Sequence, residues 1–173
     1  MEKYPILNKQ LPDDIYFISS EKLEERYPHL TPKEREYEIT KKKKAVFIMH
    51  IGAPLKNGLP HDSRAADYDD WKLNGDLLVY SKLLDTPIEL SSMGIRVDST
   101  SIQNQLRLRS IDYTNPYIEG VINKELPLSI GGGIGQSRVC MFLLQKAHVG
   151  EVQASVWDEK EIELLASNKI HLL

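Results

Sequence analysis

Residues 131–138, Gly131-Gly-Gly-Ile-Gly-Gln-Ser-Arg138, carry most of what the sequence indicates about this chain. Leu128 and Ile130 lead into them as a short strand, and a helix is predicted from Gln136 to Lys146. Glycines let the backbone lie against a flat or anionic ligand, and a helix N-terminus favours negative charge. Arg138 in the first helical turn opposes the helix dipole, so contact with a triphosphate or an adenine ring explains it better than helix stability does. The stretch is neither a Walker loop, which needs Gly-Lys-Ser/Thr, nor a dinucleotide fingerprint.

A hairpin is predicted from two strands, Asp76–Tyr80 and Ile88–Val97. If its turn centres on Lys82 and Leu83, Asp76 and Glu89 lie directly opposite each other on one face. Like charges in that position repel unless they are solvated or share a cation, and Mg²⁺ suits carboxylate and phosphate ligands. The alternative is a pair of ordinary surface acids at a wet edge, and these two residues alone favour it.

The second hairpin strand contains the sequence Glu89-Leu-Ser-Ser-Met-Gly-Ile-Arg96. Strand alternation predicts that Glu89 and Ser91 share a face, and Gly94 permits close approach of a ligand or another backbone. Arg96 is a charge at an otherwise apolar strand end, and a phosphate would serve as its partner. Together with the glycine-rich turn, these residues indicate a Mg–nucleotide site.

A third stretch, His61-Asp-Ser-Arg-Ala-Ala-Asp-Tyr-Asp-Asp-Trp71, is polar and has no clear strand or helix signal. Polar loops usually face solvent, and that is one interpretation. The other is a site for a zwitterion, because carboxylates can bind an ammonium group and an arginine can bind a carboxylate. A metal site built from His61 and Asp62 is less favoured, since neighbouring side chains rarely converge on one ion.

The composition is that of one soluble domain with a real core: 173 residues, 41% hydrophobic and 27% charged. A net charge of −3 gives no reason to expect nucleic acid or an anionic membrane as a partner. The lysine run 41–44 is best read as a solvated helix end. Cys140 stands among apolar residues, so a buried, inert thiol is predicted. With no membrane-length apolar run and no signal peptide, a cytoplasmic location is expected.

The pattern of elements predicts an α+β fold with a mainly antiparallel sheet flanked by helices, because strands and helices do not alternate regularly. The first dozen residues are predicted to be an extended lead-in. Thr31-Pro32-Lys33-Glu34 is a capping box with proline at the first helical position. Strands are predicted at 14–19, 45–51, 76–80, 88–97 and 152–157, and helices at 20–27, 31–42, 98–109, from 115, at 136–146 and at 158–166.

The three motif stretches, in this order, resemble ammonia-dependent asparagine synthetases, the aspartate–ammonia ligases. The resemblance runs from about Leu11 to Trp157 and is most specific in Glu89–Arg96 and Ile130–Arg138. It implies the catalytic fold of class II aminoacyl-tRNA synthetases. It also implies a reaction in which L-aspartate is activated by ATP as a β-aspartyl adenylate, which ammonia converts to asparagine and AMP. Free ammonia is expected as the nitrogen donor, and the family implies a homodimer.

The resemblance also implies roles for particular residues. Arg138 and Arg96 would be the catalytic arginines, with Arg138 on the ATP. The ATP site would further include Glu89, Gly133 and Gly135, and Mg²⁺ would be held by Asp76 and Glu89. The aspartate pocket would be formed by Arg64, Asp67, Asp69, Ser91 and Ser92.

The sequence departs from the family by lacking its N-terminal half, so residues 1–173 are expected to form a single, partial synthetase domain. A sheet cut midway should expose edge strands and an apolar face, which lowers stability. Three hypotheses follow: a fragment of a working ligase, a relative that binds nucleotide or amino acid without completing the reaction, and a half-domain that completes its fold with another chain. A tRNA synthetase is disfavoured because no anticodon-binding domain is present.

Overall fold

The computed structural model describes residues 11–173, so most of the predicted lead-in lies outside the described residues. The strands are β1 (Tyr16–Ser19), β2 (Ala45–Met49), β3 (Asp69–Ser81), β4 (Thr86–Arg96) and β5 (Ile130–Ile134). The helices are α1 (Ser20–Arg26), α2 (Pro32–Lys43), α3 (Ser99–Leu108), α4 (Pro116–Ile122), α5 (Gln136–Leu143) and α6 (Glu159–Ser167), with a 3₁₀ turn at Val149–Glu151.

The described strands form one sheet in the order β1-β2-β3-β4-β5. Only the β1–β2 pair is parallel, and the three other pairs are antiparallel. The predicted α+β class with a mainly antiparallel sheet is therefore confirmed. Strand β3 is much longer than predicted, because it begins at Asp69 and so includes the end of the third motif stretch.

The helix starts follow the predicted caps. Thr31 and Glu34 form a reciprocal capping box, and Pro32 occupies the first position of α2. Asp98 accepts hydrogen bonds from the backbone N–H groups of Thr100 and Ser101 and so begins α3. These backbone hydrogen bonds lower the pKa of Asp98. Each cap fixes a helix start by local contacts alone, which is why the sequence predicts these boundaries well.

The core lies on both faces of the sheet. On one face, α1 and α2 cover Val46, Ile48 and Leu78. On the other, Phe142 of α5 packs against Val79, Ile88 and Leu90. A third apolar cluster joins α3 to α4. The sheet is therefore sandwiched only near β2–β4, and the part of it around β5 keeps an open face.

The predicted strand at 152–157 is wrong. The chain there follows the 3₁₀ turn, whose Glu151 carboxylate accepts hydrogen bonds from the backbone N–H groups of Ala147 and His148. No described strand lies alongside to pair with this segment, so its β-branched residues form no ladder, and Val156 is almost fully exposed. The amino-acid composition favours a strand here, but a strand forms only where a neighbouring strand can pair with it.

The prediction of a buried Cys140 is also wrong, because its side chain is exposed. In α5, Phe142 and Val139 face the sheet, and the helical period turns Cys140 towards solvent. The sheet edge at β5 is exposed as expected, with Ile130 and Ile134 at 78% and 70% of full exposure. Within residues 11–173, every helix is too short or too polar to cross a membrane.

Candidate active site

The β3–β4 hairpin has a different register from the predicted one. Its turn spans residues 82–85, since Ser81 pairs with Thr86. Asp76 pairs with Ser92, whereas Glu89 pairs with Leu78. The prediction that Asp76 and Glu89 are directly opposed is therefore wrong.

The turn at 82–85 places Glu89 opposite Leu78, and a bulge at Leu90 then places Ser92 opposite Asp76. Leu77 pairs with Ser91 and Leu78 pairs with Glu89, so Leu90 is an extra residue on β4. Its carbonyl accepts a hydrogen bond from the Gly135 N–H at 2.9 Å, which ties the bulge to the start of α5. The bulge thus links the hairpin to the glycine-rich stretch.

The bulge also decides which side chains share a face. Glu89, opposite Leu78, and Ser92, opposite Asp76, lie on the face that α2 covers. Ser91, opposite Leu77, belongs to the other face, and its hydroxyl donates to the Gly133 carbonyl at 2.9 Å. The prediction that Glu89 and Ser91 share a face is therefore wrong. What the structure puts together instead is Asp76, Glu89 and Ser92.

Asp76 is buried and forms an ion pair with Arg64 through its Oδ2 atom. Its Oδ1 atom is buried without a hydrogen-bond partner. Burial raises the pKa of Asp76, and the charge of Glu89 adds to the rise, while Ser92 and Arg64 oppose it. An orphaned carboxylate oxygen with a raised pKa is a group that a bound cation would satisfy.

Arg96 has its partners inside the chain. Its guanidinium pairs with Asp69, donates to the Tyr68 hydroxyl at 2.9 Å and lies 3.9 Å from the centroid of that ring. The guanidinium also lies against Gly131, where a β-carbon would overlap it. A β-carbon at residue 131 would therefore push the guanidinium away from its place against Asp69 and Tyr68.

Arg138 reaches from α5 to β4. Its Nη1 atom donates to the Glu89 carbonyl at 2.8 Å and lies 3.4 Å from the Glu89 carboxylate. Both side chains are about half exposed, so this pair stays open to solvent. An arginine held in this way can turn towards a ligand at little cost.

These groups surround a recess of about 350 Å³ in the open face of the sheet. Most of the predicted site residues line it: Asp69, Glu89, Ser91, Ser92, Arg96, Gly133, Gly135 and Arg138. Two predicted aspartate ligands lie beside it. Arg64 joins the site through Asp76, and Asp67 lines a neighbouring recess that shares Tyr68 and Arg96. The structure thus gathers residues from all three sequence motifs.

The loop that carries Arg64 and Asp67 is held by a residue that the sequence analysis missed. Gln105, buried in α3, accepts a hydrogen bond from the Trp71 N–H and donates to the carbonyls of Ala66 and Asp69. The three distances are 2.9, 2.9 and 3.0 Å. A lone glutamine in a helical pattern gives no sequence signal for this role.

A second missed contact lies under α2. The buried His61 imidazole is 3.1 Å from the Glu36 carboxylate, which also accepts from Lys33. Burial acts to raise the pKa of Glu36, but these hydrogen bonds outweigh it and the pKa is lowered. The His61 imidazole therefore ties the polar loop to α2 through Glu36.

Asp76 and Glu89 also fit the expected magnesium ion. They line one recess, and the Oδ1 atom of Asp76 is buried without a hydrogen-bond partner. Among residues 11–173, no cluster of three or more His, Cys, Asp or Glu side chains is arranged to hold a metal. Mg²⁺ often takes only one or two carboxylates and completes its shell with water and phosphate oxygens. The pair therefore suits a magnesium ion that arrives with a nucleotide.

Solved structures with the same fold define the class. An asparaginyl-tRNA synthetase from Entamoeba histolytica superposes with a TM-score of 0.56 at 15% identity, over 88% of this chain and 38% of that one. The aspartyl-tRNA synthetase of the same organism gives 0.59 at 16% identity, over 92% and 34%. The fold is thus that of class II aminoacyl-tRNA synthetase catalytic domains.

Sequence comparison then identifies the family. The family model described as aspartate-ammonia ligase matches residues 1–169. The aspartate–ammonia ligase of Bacillus cytotoxicus is 56% identical over 99% of this chain, and that of Bacillus cereus strain AH187 is 55% identical over the same share. The chain belongs to the aspartate–ammonia ligase family. It spans 53% of the length of each of these two relatives, or about half.

Proposed function

We propose that this chain takes part in the ATP-dependent amidation of L-aspartate by ammonia, which yields asparagine, AMP and pyrophosphate. The observation that carries the proposal is the recess that joins the glycine-rich strand to two arginine–carboxylate pairs, Arg96–Asp69 and Arg138–Glu89, with a third pair, Arg64–Asp76, beside it. Family membership supports the same reaction.

The nucleotide is assigned to the glycine-lined side of the recess. Gly133 and Gly135 leave bare backbone there, and Arg138 can leave Glu89 to contact phosphate or adenine. Asp76 and Glu89 would hold Mg²⁺, which neutralises phosphate charge when bound. Positioning and charge neutralisation supply the catalysis in such a site, so no covalent nucleophile is required.

L-Aspartate is assigned to the side formed by β3, β4 and the loop before β3. Arg64 and Arg96 would bind its carboxylates, Asp67 and Asp69 would bind its ammonium group, and the hydroxyls of Ser91 and Ser92 complete the pocket. Asp69 is held in place by Arg96, and the loop by Gln105. The substrate therefore meets side chains that are already fixed by other contacts.

The reaction proceeds in two displacements. A side-chain carboxylate oxygen of aspartate attacks the α-phosphorus, a P–O bond forms, and pyrophosphate leaves. The nitrogen of ammonia then attacks the activated carbonyl carbon, a C–N bond forms, the C–O bond to AMP breaks, and a proton passes to solvent. The cations Arg96 and Arg138 stabilise the negative charge that develops on phosphate in both steps.

The direct test measures products from L-aspartate, ATP, Mg²⁺ and ammonium, with Arg138→Ala as the matched variant. Asparagine and AMP should form in equal amounts and should both be lost in the variant. ADP in place of AMP would contradict an adenylate. AMP or bound nucleotide without asparagine would favour the relative that does not complete the reaction.

The exposed β5 edge favours a second arrangement, in which this chain acts as a half-domain completed by another polypeptide. The same assay distinguishes it when the chain is tested alone and after co-expression with the N-terminal half of a relative. Turnover only in the co-expressed sample supports the half-domain, and equal turnover in both samples rejects it. A cytoplasmic location and a homodimer remain predictions of the family resemblance.

A further inference from the structure

A second recess of about 260 Å³ adjoins the first, between α2 and the β3–β4 hairpin. The two recesses meet at Glu89, which lines both. Asp76 also lines the second recess, and its Oδ1 atom is buried without a hydrogen-bond partner. The cation that lines this recess is Lys33, in the first turn of α2.

Lys33 is paired with Glu36, a carboxylate that is itself held by another side chain. Its Nζ atom lies 3.0 and 3.1 Å from the two carboxylate oxygens of Glu36, and Glu36 is held from behind by His61, whose side chain is only 1% exposed. An ordinary surface pair three residues apart on a helix has no such support and contributes little. The contact with His61 therefore holds in place the Glu36 carboxylate with which Lys33 is paired.

The lysine is nonetheless free to change partners. Its side chain is 76% exposed, so its ammonium group can leave Glu36 without crossing a packed interface. Burial acts to lower the pKa of Lys33, but the hydrogen bond to Glu36 and the charges of Glu36, Asp62 and Glu89 raise it. Lys33 thus stays fully charged and lies within electrostatic reach of the hairpin carboxylates.

The placement matters if the proposed function holds, because the β- and γ-phosphates must lie where their magnesium ligands are. Those ligands, Asp76 and Glu89, both line the second recess. The triphosphate tail therefore meets the side of the recess where Lys33 stands. Four phosphate charges on the leaving pyrophosphate exceed what one Mg²⁺ neutralises, and a lysine is a common further phosphate ligand.

We propose that Lys33 binds the β- and γ-phosphates of ATP and the pyrophosphate that leaves, and that Glu36 and His61 position it for that contact. This proposal rests on the proposed function and adds to it a residue outside the three sequence motifs. Lys33 would be a substrate-binding residue, whereas Glu36 and His61 would act only through it.

Equilibrium binding of three probes to the full chain tests the proposal: ATP, pyrophosphate and AMP, each with Mg²⁺. Lys33→Ala should weaken ATP and pyrophosphate about tenfold to a hundredfold, as expected for one lost charge-assisted hydrogen bond, and should leave AMP within about twofold. Lys33→Arg should restore most of the affinity. Lys42→Ala is the matched control, since it removes the same charge from an exposed position on the same helix.

The outcomes separate this proposal from the function on which it rests. Equal weakening of AMP and ATP, or unchanged pyrophosphate affinity, overturns the role of Lys33 while leaving a nucleotide site intact. A wild-type chain that binds neither ATP nor AMP overturns the nucleotide site itself. If Lys33→Ala unfolds, Lys33→Gln supplies the same loss of charge with a side chain that can still hydrogen bond to Glu36.

Discussion

Gln105→Met should loosen the loop that carries the aspartate-binding candidates. The substitution keeps the length of the side chain and its apolar stem but removes the amide. It leaves the Trp71 N–H and the carbonyls of Ala66 and Asp69 without their partner. Because Gln105 is 4% exposed, water does not reach these groups without local opening.

Three lost hydrogen bonds at about 1 kcal/mol each predict a decrease of about 3 kcal/mol in the free energy of unfolding. For a chain of this size, that loss corresponds to a melting temperature lower by roughly 6–12 °C. A larger loss would indicate that these backbone groups remain buried without a hydrogen-bond partner or water. Each such group lowers the free energy of unfolding by about 1–3 kcal/mol.

Urea denaturation followed by tryptophan fluorescence is the appropriate assay, because Trp71 is buried beside the loop. Gln103→Met is the matched control: Gln103 is exposed on the same helix, bonds only the Ser99 carbonyl among the described contacts, and should change stability by less than about 0.5 kcal/mol. A Gln105→Met protein within about 1 kcal/mol of wild type would refute the reasoning. It would mean that other contacts hold the loop.

Two further predictions concern the glycine strand and the acid response. Gly131→Ala places a β-carbon on the Arg96 guanidinium and should destabilise the chain by about 1–3 kcal/mol in urea melts, whereas Gly133→Ala meets no atom within 4 Å and should be close to neutral. The pKa of Glu36 is lowered below its ordinary 4.5 in the folded state, so its stabilising contribution is present above pH 4.5 and is lost as the pH falls through the folded value. The difference in unfolding free energy between wild type and Glu36→Gln should shrink below that pH. A constant difference at all pH values would show that the contacts of Glu36 with His61 and Lys33 do not favour its ionised form.

The local features of the fold could be predicted from the sequence. The capping box at Thr31, the cap at Asp98 and the proline after Asn115 define helix starts through contacts within one turn. The mainly antiparallel sheet was predicted from the irregular succession of strand and helix patterns along the chain. Such features depend on neighbours in the sequence, so one sequence is enough to indicate them.

The features that the sequence did not reveal depend on pairing between distant segments. The turn at 82–85 puts Glu89 opposite Leu78, and the bulge at Leu90 then puts Ser92, not Ser91, opposite Asp76. No residue type marks that bulge, and the hydrogen bond that accompanies it joins the Leu90 carbonyl to Gly135, which is far away in the sequence. The segment 152–157 has strand-like composition but no strand beside it.

The candidate site shows the same division. The sequence indicated Arg96 as a charge in need of a partner, and the structure supplies Asp69 and Tyr68 from another motif. It indicated Arg64 and Asp76 separately, and the fold joins them in one ion pair. The sequence shows which charged residues belong to the site, but it does not show which of them pair. Each ion pair joins residues 12 to 49 positions apart in the chain.

These pairings have a consequence for selectivity. With every arginine of the site matched by a carboxylate, the three pairs sum to zero charge before a ligand arrives. At the two less exposed pairs, Arg64–Asp76 and Arg96–Asp69, a simple anion that takes the arginine strands a carboxylate, and a simple cation strands an arginine, so neither gains much. A ligand that brings both signs can re-pair both members. Under the proposed function both substrates meet this condition, since aspartate is a zwitterion and the nucleotide comes with its metal. The self-paired arginines and carboxylates thus favour ligands of mixed charge.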